Sequence, residues 1–162
     1  MADKLTAAER SRNMASIRSK HMKPEIAVRK AAHRLGFRFR LHRKDLPGKP
    51  DLVFPKYCAM IFVHGCFWHQ HNKPGCLDGR PPKSNQEYWR PKLARNLERD
   101  AMHRATLERQ GWRVLVIWEC ETRDTQLLAS QIATFLAANV CAPLGRPLAS
   151  VISPAPRPAA AP

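Results

Sequence analysis

The chain has 162 residues, enough for one domain with a hydrophobic core, and its 28 Lys and Arg against 13 Asp and Glu give a formal charge of +15. A field of this sign attracts polyanions, which favours a nucleic-acid partner over anionic lipid or a merely soluble basic protein. The lack of a bilayer-length apolar run and of an apolar signal core excludes a membrane protein and predicts a cytoplasmic one, associated with the nucleoid.

The order of the predicted elements is that of a mixed α/β domain. Pro24 at a first helical position and Gly36 past a helix end bracket one helix. The apolar run 113–118 is typical of a central strand in a parallel sheet. The predicted helices cover residues 6–18, 24–35, 91–110 and 124–137, and the predicted strands cover residues 37–42, 51–55, 58–62 and 113–118.

Composition divides the chain into three regions. We expect a basic arm at residues 1–20, the folded domain at 21–140, and a Pro/Ala-rich tail at 141–162 that has too little to pack and is disordered. Within the domain, residues 65–84 form a long irregular loop, and such loops usually carry function or are held by a metal. On the helix at 91–110, the residues expected to face the core are Leu93, Leu97, Met102 and Leu107.

One short segment, residues 62–71, holds most of the reactive side chains. Imidazoles and thiolates bind metals or transfer protons, and aromatic rings stack on nucleic-acid bases. At the end of a predicted buried strand, this combination favours an enzyme that acts on nucleic acid. For the aromatic pair, the alternative is a place in the core. The side chains concerned are His64, His69 and His71, Cys66, and the adjacent Phe67 and Trp68.

Two carboxylates stand out by their position among the 13 acidic residues. Asp51 follows Pro50 at the start of a predicted strand, and Glu25 lies in the first turn of the preceding helix. A hydrolytic nuclease needs such oxygen ligands for a hard cation. The alternatives are a turn-capping aspartate and a glutamate favoured by the helix dipole. The Pro-Asp pair resembles the restriction-endonuclease-like nuclease pattern, although residues 62–64, Phe-Val-His, stand where an acidic-x-Lys group is expected.

Several longer strings occur in one order between Ser11 and Cys120. They are Ser-Arg-Asn-Met at 11–14, Glu25, Leu-Pro-Gly-Lys-Pro-Asp at 46–51, Ile-Phe-Val-His-Gly-Cys-Phe-Trp-His at 61–69, Trp89, Lys92, Asn-Leu-Glu-Arg-Asp at 96–100 and Gly-Trp-Arg-Val-Leu-Val-Ile-Trp-Glu-Cys at 111–120. Together they resemble the very-short-patch repair (Vsr) endonucleases, a family of T:G mismatch nickases. The length and order of the strings make this match far more specific than the Pro-Asp pair alone.

The resemblance implies catalytic roles for five positions. Asp51 would bind a catalytic Mg²⁺ through its carboxylate, and Val63 would bind it through the backbone carbonyl. His69 would be the general base, and His64 and Glu25 would support the metal-bound waters and the scissile phosphate. The scheme is chemically coherent, since a cation stabilises the developing charge and an imidazole, whose pKa lies near neutral pH, can move the proton.

The resemblance also implies how a mismatch is recognised. Phe67, Trp68 and Trp89 would intercalate beside it from the major groove, and Met14 on the arm would wedge from the other side. Unstacking costs less at a mismatch than at a paired step, and stacking on aromatic rings offsets part of that cost. The alternative for Met14 is a simple packing role.

Three polar residues of the predicted helix at 91–110 are candidates for contacts with the DNA backbone. Lys92, Asn96 and Arg99 fall at helical spacing, which would place them on one face beside the phosphates. A solvated helix face is the alternative.

The cysteines indicate a structural metal site. Five cysteines cannot pair completely, and cytoplasmic thiols stay reduced, so ligation is favoured over a disulfide framework. Cys66, Cys76 and one histidine, with the remote Cys120, have spacing that can close a tetrahedral zinc site. By spacing alone His69 is as good a ligand as His71; the resemblance assigns His71 to zinc and leaves His69 for catalysis. The alternative is a loop with free cysteines.

These observations predict a restriction-endonuclease-like α/β domain with a central mixed sheet, flanking helices and a zinc loop. The expected reaction is Mg²⁺-dependent nicking of one strand, 5′ of the thymine in T:G pairs that arise from 5-methylcytosine deamination. The resemblance implies functional pairing with a DNA cytosine methyltransferase and is compatible with stimulation by a MutL-type mismatch-repair protein. A monomer is expected, because a nickase need not dimerise. The alternatives are a zinc-containing DNA-binding module without nuclease activity and a related nuclease with another DNA target.

Overall fold

The computed structural model describes Glu9, Arg12 and residues 21–81 and 85–138. Glu9 and Arg12 are both helical, as the first predicted helix requires. The remaining residues of the predicted arm, including Met14, and the predicted tail at 141–162 lie outside the described residues.

Helices and strands alternate in the order expected for a mixed α/β domain. Pro24 occupies the first turn of the first helix, and the Asp124 side chain caps the last helix by accepting hydrogen bonds from the backbone N–H groups of Gln126 and Leu127. The helices are α1 (Lys23–Arg34), α2 (Gln86–Arg109) and α3 (Thr125–Ala137), the strands are β1 (Arg40–Leu41), β2 (Leu52–Phe54), β3 (Ala59–His64) and β4 (Arg113–Trp118), and 3₁₀ turns span Pro55–Tyr57 and Glu119–Arg123.

The four strands form one mixed sheet in the order β1-β2-β3-β4. The β1–β2 and β2–β3 pairs are antiparallel, whereas β3 and β4 are parallel and in register up to His64 opposite Trp118. The parallel character of β4 was predicted correctly. Its central position was wrong, because within the described residues β4 pairs with β3 alone and forms an edge. The shared end of β3 and β4 brings the loop after His64 next to the segment after Trp118.

The core lies on both faces of the sheet, because successive side chains along each strand point to opposite faces. On one face, α1 and α3 pack against Leu52, Phe54 and Ile61. On the other, Leu107 of α2 packs with Val53 and other side chains of a smaller cluster. The sheet is therefore a middle layer between helices.

Helix α2 departs most from its prediction. It begins at Gln86, so Pro91 lies inside the helix instead of at its start. Leu93 and Leu107 are buried as expected, but Leu97 and Met102 are 45% and 59% exposed, so their predicted core positions are wrong. Leu97 lines a cleft beside the middle turns of α2, and Met102 belongs to neither core cluster. Strand β1 is also shorter than the predicted 37–42, because only Arg40 and Leu41 pair with β2.

Within the described residues, no helix combines the length and the apolar character needed to cross a membrane.

Candidate active site

The carboxylate of Asp51 is fixed at the start of β2 by the neighbouring strand. Its Oδ2 accepts a hydrogen bond of 2.8 Å from the backbone N–H of Val63. Burial raises the pKa of Asp51 to about 6, against the opposing effect of this hydrogen bond. A carboxylate whose burial disfavours its charge gains from a cation placed beside it.

Glu25 is buried in the first turn of α1, where it accepts two hydrogen bonds. Its Oε2 is 2.9 Å from the backbone nitrogen of His21 and 2.7 Å from Nη2 of Arg29. Glu25 therefore has the position in the first helical turn that the helix dipole favours, and it also forms a buried ion pair with Arg29. His42 lies near this pair, with Nε2 4.0 Å from Oε2 of Glu25.

His64 and His69 stack face to face beside the carboxylates. Their ring centroids are 3.9 Å apart, with an angle of 13° between the planes. Burial, and the neighbouring His69, lower the pKa of His64 to about 4, so that this imidazole is neutral near pH 7. A neutral ring can accept or donate a hydrogen bond without adding charge to the site.

His69 is oriented by an acidic residue from α2. Its Nδ1 contacts Oδ2 of Asp100. Burial acts to raise the pKa of Asp100. The hydrogen bond from His69, together with the nearby charges of His69, His64 and Arg99, outweighs this effect, and the pKa of this carboxyl lies below its usual range. An ionised partner at Nδ1 fixes the tautomer and leaves Nε2 as the ring nitrogen for proton transfer.

These groups line one cleft of about 1040 Å³. The cleft separates the middle turns of α2 from the end of the sheet, and Asp51 and His69 lie close enough there to interact electrostatically. The chemically relevant lining residues are Glu25, His42, Asp51, Val63, His64, His69 and Asp100.

The four predicted zinc ligands converge at the shared end of β3 and β4. One ligand atom from each of Cys66, His71, Cys76 and Cys120 lies within 4.8 Å of the others. Nδ1 of His71 is 3.6 Å from Sγ of Cys66 and 3.3 Å from Sγ of Cys120. In a tetrahedral zinc site the usual bond lengths give a sulfur–nitrogen separation of about 3.5 Å. The donor set and its spacing therefore fit a zinc ion.

Two observations bear on the alternatives for this cluster. Burial raises the pKa of Cys66 to about 12, so a free thiol at that position would stay protonated and unreactive. The ring of His71 stacks on Trp118, with centroids 4.1 Å apart, which holds Nδ1 toward the cysteines. His69 faces Asp100 instead, so the structure separates the two histidines that spacing alone left equivalent.

The predicted intercalating rings form one aromatic platform, defined as Phe67, Trp68 and Trp89. Phe67 lies 5.1 Å from Trp68 and 5.2 Å from Trp89, measured between ring centroids, in edge-to-face arrangements. All three are half-buried and stand at the cleft end of the fold, apart from both core clusters. The alternative that Phe67 and Trp68 belong to the core is not supported.

Lys92 and Asn96, two of the three residues of α2 that were expected to meet phosphate, contact this platform. Nζ of Lys92 lies 5.7 Å from the ring centroid of Trp68 and 5.5 Å from that of Trp89. The Asn96 side chain donates to the backbone carbonyl of Trp68, and Arg99 donates to Asn96. Their contact with a DNA backbone stays a prediction.

Sequence reasoning missed three residues of the site. Asp100 was within reach, because it ends the Asn-Leu-Glu-Arg-Asp string, but no role was attached to it. Arg29 and His42 gave no signal, since their positions depend on contacts between separate elements of the fold.

Comparisons with known proteins identify the family. A sequence model described as DNA mismatch endonuclease Vsr matches residues 2–74. The type II nicking enzyme V.XorIIP of Xanthomonas oryzae pv. oryzae is 48% identical over 136 residues, which are 84% of this chain and 98% of that protein. The DNA mismatch endonuclease Vsr of Escherichia coli is 37% identical over 134 residues, 83% of this chain and 84% of that protein. The chain belongs to the Vsr family.

A second nicking enzyme, V.NmeAIP of Neisseria meningitidis serogroup A, is 42% identical over 132 residues, covering 82% of this chain and 92% of that protein. The predicted resemblance to Vsr is therefore confirmed. The segment that matches the Vsr sequence model contains Glu25, Asp51, Val63 and the two stacked histidines. Membership of the Vsr family implies a nuclease fold, and a mixed sheet between helices is consistent with it. The protein is a DNA mismatch endonuclease.

Proposed function

We propose that this DNA mismatch endonuclease uses Mg²⁺ to hydrolyse one strand 5′ of the thymine in T:G mispairs, which arise when 5-methylcytosine deaminates. The observation that carries the proposal is the meeting of two pairs in one cleft: Asp51 with Val63, and His69 with Asp100. The first pair suits a hard cation and the second suits proton transfer. The names of V.XorIIP and V.NmeAIP as nicking enzymes support single-strand cleavage.

Asp51 and Val63 are the residues that would hold Mg²⁺. The half-buried carboxylate and the adjacent backbone offer the oxygen ligands that this ion prefers. When bound, the ion stabilises negative charge on the phosphate undergoing attack.

His69 would remove the proton from the attacking water. Asp100 holds Nδ1, so Nε2 is the atom that would accept the proton as the water oxygen attacks phosphorus. The bond from phosphorus to the leaving sugar oxygen breaks in the same step, and that oxygen takes up a proton from solvent. His64, neutral and stacked on His69, keeps that ring in place and can hydrogen-bond to a phosphate oxygen. Glu25 lies across the same cleft, where it would order waters around the cation.

The aromatic platform would select mismatched over paired DNA. Separating stacked bases costs a few kcal/mol, and less at a mismatch, whereas each base stacked on an aromatic ring returns about 1–3 kcal/mol. Insertion of the platform is therefore favourable at a T:G pair and unfavourable in matched duplex. Lys92, Asn96 and Arg99 would then follow the DNA backbone, and Met14 would enter from the opposite groove.

Zn²⁺ would be held by Cys66, His71, Cys76 and Cys120 as a structural ion. This site would join the loop that carries Phe67, Trp68 and His69 to the end of β4. The loop offers few buried apolar contacts of its own, so zinc ligation would hold His69 in a fixed position relative to the sheet.

The biological setting follows from the substrate. Enzymatic cytosine methylation creates the base whose deamination gives T:G, so we expect functional pairing with a DNA cytosine methyltransferase. A MutL-type mismatch-repair protein is a further expected partner. The enzyme would act as a cytoplasmic, nucleoid-associated monomer, because cleavage of one strand needs only one active site.

The decisive experiment uses a labelled duplex with one T:G pair, with and without Mg²⁺. Matched T:A and C:G duplexes are the controls. The proposal requires a single cut in the T strand that depends on both the mismatch and the metal, and Asp51→Ala should bind the mismatch without cutting it. Binding without any cut by the wild type would favour the inactive DNA-binding module. Cutting without preference for T:G would indicate a related nuclease with another target.

A further inference from the structure

His42 occupies the space between the two carboxylates of the cleft. Its Nδ1 is 4.0 Å from Oδ1 of Asp51, and its Nε2 is 4.0 Å from Oε2 of Glu25. The side chain is 17% exposed, and the backbone φ is +46°, in the left-handed region that few non-glycine residues adopt. Such conformations persist only where the surrounding structure imposes them, and they cluster at functional sites.

Arg29 determines which nitrogen of His42 carries the proton. Its Nη2 lies 2.9 Å from Nε2 of His42 and 2.7 Å from Oε2 of Glu25, so the two hydrogens of Nη2 have one acceptor each. Nη1 of Arg29 contacts Nδ1 of His21 at 2.9 Å. Because a guanidinium has no acceptor and stays protonated, Nε2 of His42 must accept. The proton of the neutral ring is therefore on Nδ1, which faces Asp51.

We propose that His42 is a positioning residue that presents an N–H group to Oδ1 of Asp51, while Arg29 and Glu25 fix the orientation of its ring. The inference rests on the proposed Mg²⁺-dependent function. Asp51 is then held from two sides, since Oδ2 already accepts from Val63. A small movement of His42 toward Asp51 closes the 4.0 Å gap to a hydrogen bond.

The consequence of this arrangement is a single orientation of the carboxylate toward the cation. Groups that hydrogen-bond to metal ligands typically contribute about 10- to 100-fold to metal affinity or activity. The same network directs the two hydrogens of Arg29 Nη2 to Glu25 and His42.

The test compares His42→Ala and His42→Asn with the matched variants His33→Ala and His33→Asn, His33 being an exposed histidine in the last turn of α1. The asparagine amide nitrogen occupies nearly the place of Nδ1, and asparagine tolerates a left-handed backbone well. Mn²⁺ binding to the zinc-loaded, DNA-free protein is followed by electron paramagnetic resonance. Nicking of a T:G duplex is measured against Mg²⁺ concentration.

We expect His42→Ala to weaken Mn²⁺ binding, and to raise the half-saturating Mg²⁺ concentration for nicking, by about 10- to 100-fold. Its affinity for the T:G duplex without divalent metal should match that of the wild type. His42→Asn should recover most of the metal affinity, and both His33 variants should behave as the wild type.

The inference is overturned if His42→Ala binds Mn²⁺ as the His33 variants do, or if His42→Asn is as impaired as His42→Ala. Equal losses of melting temperature and DNA affinity in both His42 variants would indicate a general structural role and overturn it as well. A wild type that fails to nick T:G would remove the proposed function, and the Mn²⁺ titration would still decide the role of His42.

Discussion

His69 and Asp100 are in direct contact although 31 residues separate them along the chain. The histidine belongs to the loop that follows β3, and the aspartate belongs to the middle of α2. The contact therefore ties the candidate base to a rigid helix across the cleft. It depends on the loop being held in place, which links the catalytic residues to the metal-ligand cluster beside them.

Asp100→Asn should lower the rate of T:G nicking by about 10- to 100-fold with little change in DNA affinity, as is typical when the group that orients a functional histidine is lost. Asparagine keeps the size of the side chain but loses the charge that stabilises His69 as it takes up a proton. Single-turnover rates and duplex binding without Mg²⁺ measure the two effects separately. Glu98→Gln, an exposed position on the same helix, is the control and should change neither. An unchanged rate in Asp100→Asn would exclude a catalytic contribution from the charge of Asp100.

Trp89→Ala should reduce the preference for T:G over T:A duplex. Removing one stacking partner costs about 1–3 kcal/mol, or roughly 5- to 150-fold in affinity. Competition binding with the two duplexes measures the preference. Trp112→Phe is the control, a conservative change at a tryptophan that packs against the smaller core cluster and is not part of the platform. Loss of T:G preference in both variants alike would show that the effect is not specific to stacking.

Much of the site could be predicted from the sequence because its parts are close together along the chain. Short stretches of sequence reveal the strand that ends at His64, the loop after it and the acidic residue after Pro50. The residue types in these stretches restrict the possible chemistry. The contacts that the sequence did not reveal join distant elements. His42 reaches Arg29 and Asp51 only through the packing of α1 and the turn after β1 onto the sheet.

Helix α2 shows the same limit for the fold. The part of the helix after Pro91 and its polar face follow from local propensity, but Leu97 and Met102 look as suited to a core as Leu93 and Leu107 do. Which of them is buried depends on which turns of α2 pack against the sheet, and that is a property of the whole fold. Tyr88 and Trp89 likewise lie in the part of α2 that precedes Pro91. Trp89 packs there against Phe67 of the platform.

Leu107→Ala and Met102→Ala test this description of α2. Leu107 is fully buried against the sheet, so truncation should lower the free energy of unfolding by about 2–5 kcal/mol. Met102 is 59% exposed, and its truncation should change the free energy by no more than about 0.5 kcal/mol. Urea denaturation of the zinc-loaded proteins gives both values. Similar losses in the two variants would place Met102 in the core and contradict the observed packing.

His71→Ala and His69→Ala should separate the metal ligand from the catalytic base. His71 directs Nδ1 at two cysteines, whereas His69 directs Nδ1 at Asp100. We therefore expect His71→Ala to lose zinc and unfold at a lower temperature, because binding to a structural zinc site contributes directly to folding. His69→Ala should keep its zinc and its stability but lose nicking. Elemental analysis and thermal melts with and without a chelator measure these properties.

Cys120→Ser provides the matching test from the other end of the zinc cluster. Cys120 lies two residues after the end of β4, so its loss should detach the loop from the sheet in the same way as loss of His71. Both variants should also nick poorly, since the loop carries His69. A His71→Ala protein with full zinc content, or a His69→Ala protein without zinc, would reverse the assignment of the two histidines. If Cys120→Ser kept its zinc and its melting temperature, the cluster would have to close without the cysteine from β4, and the link between zinc and the catalytic base would fail.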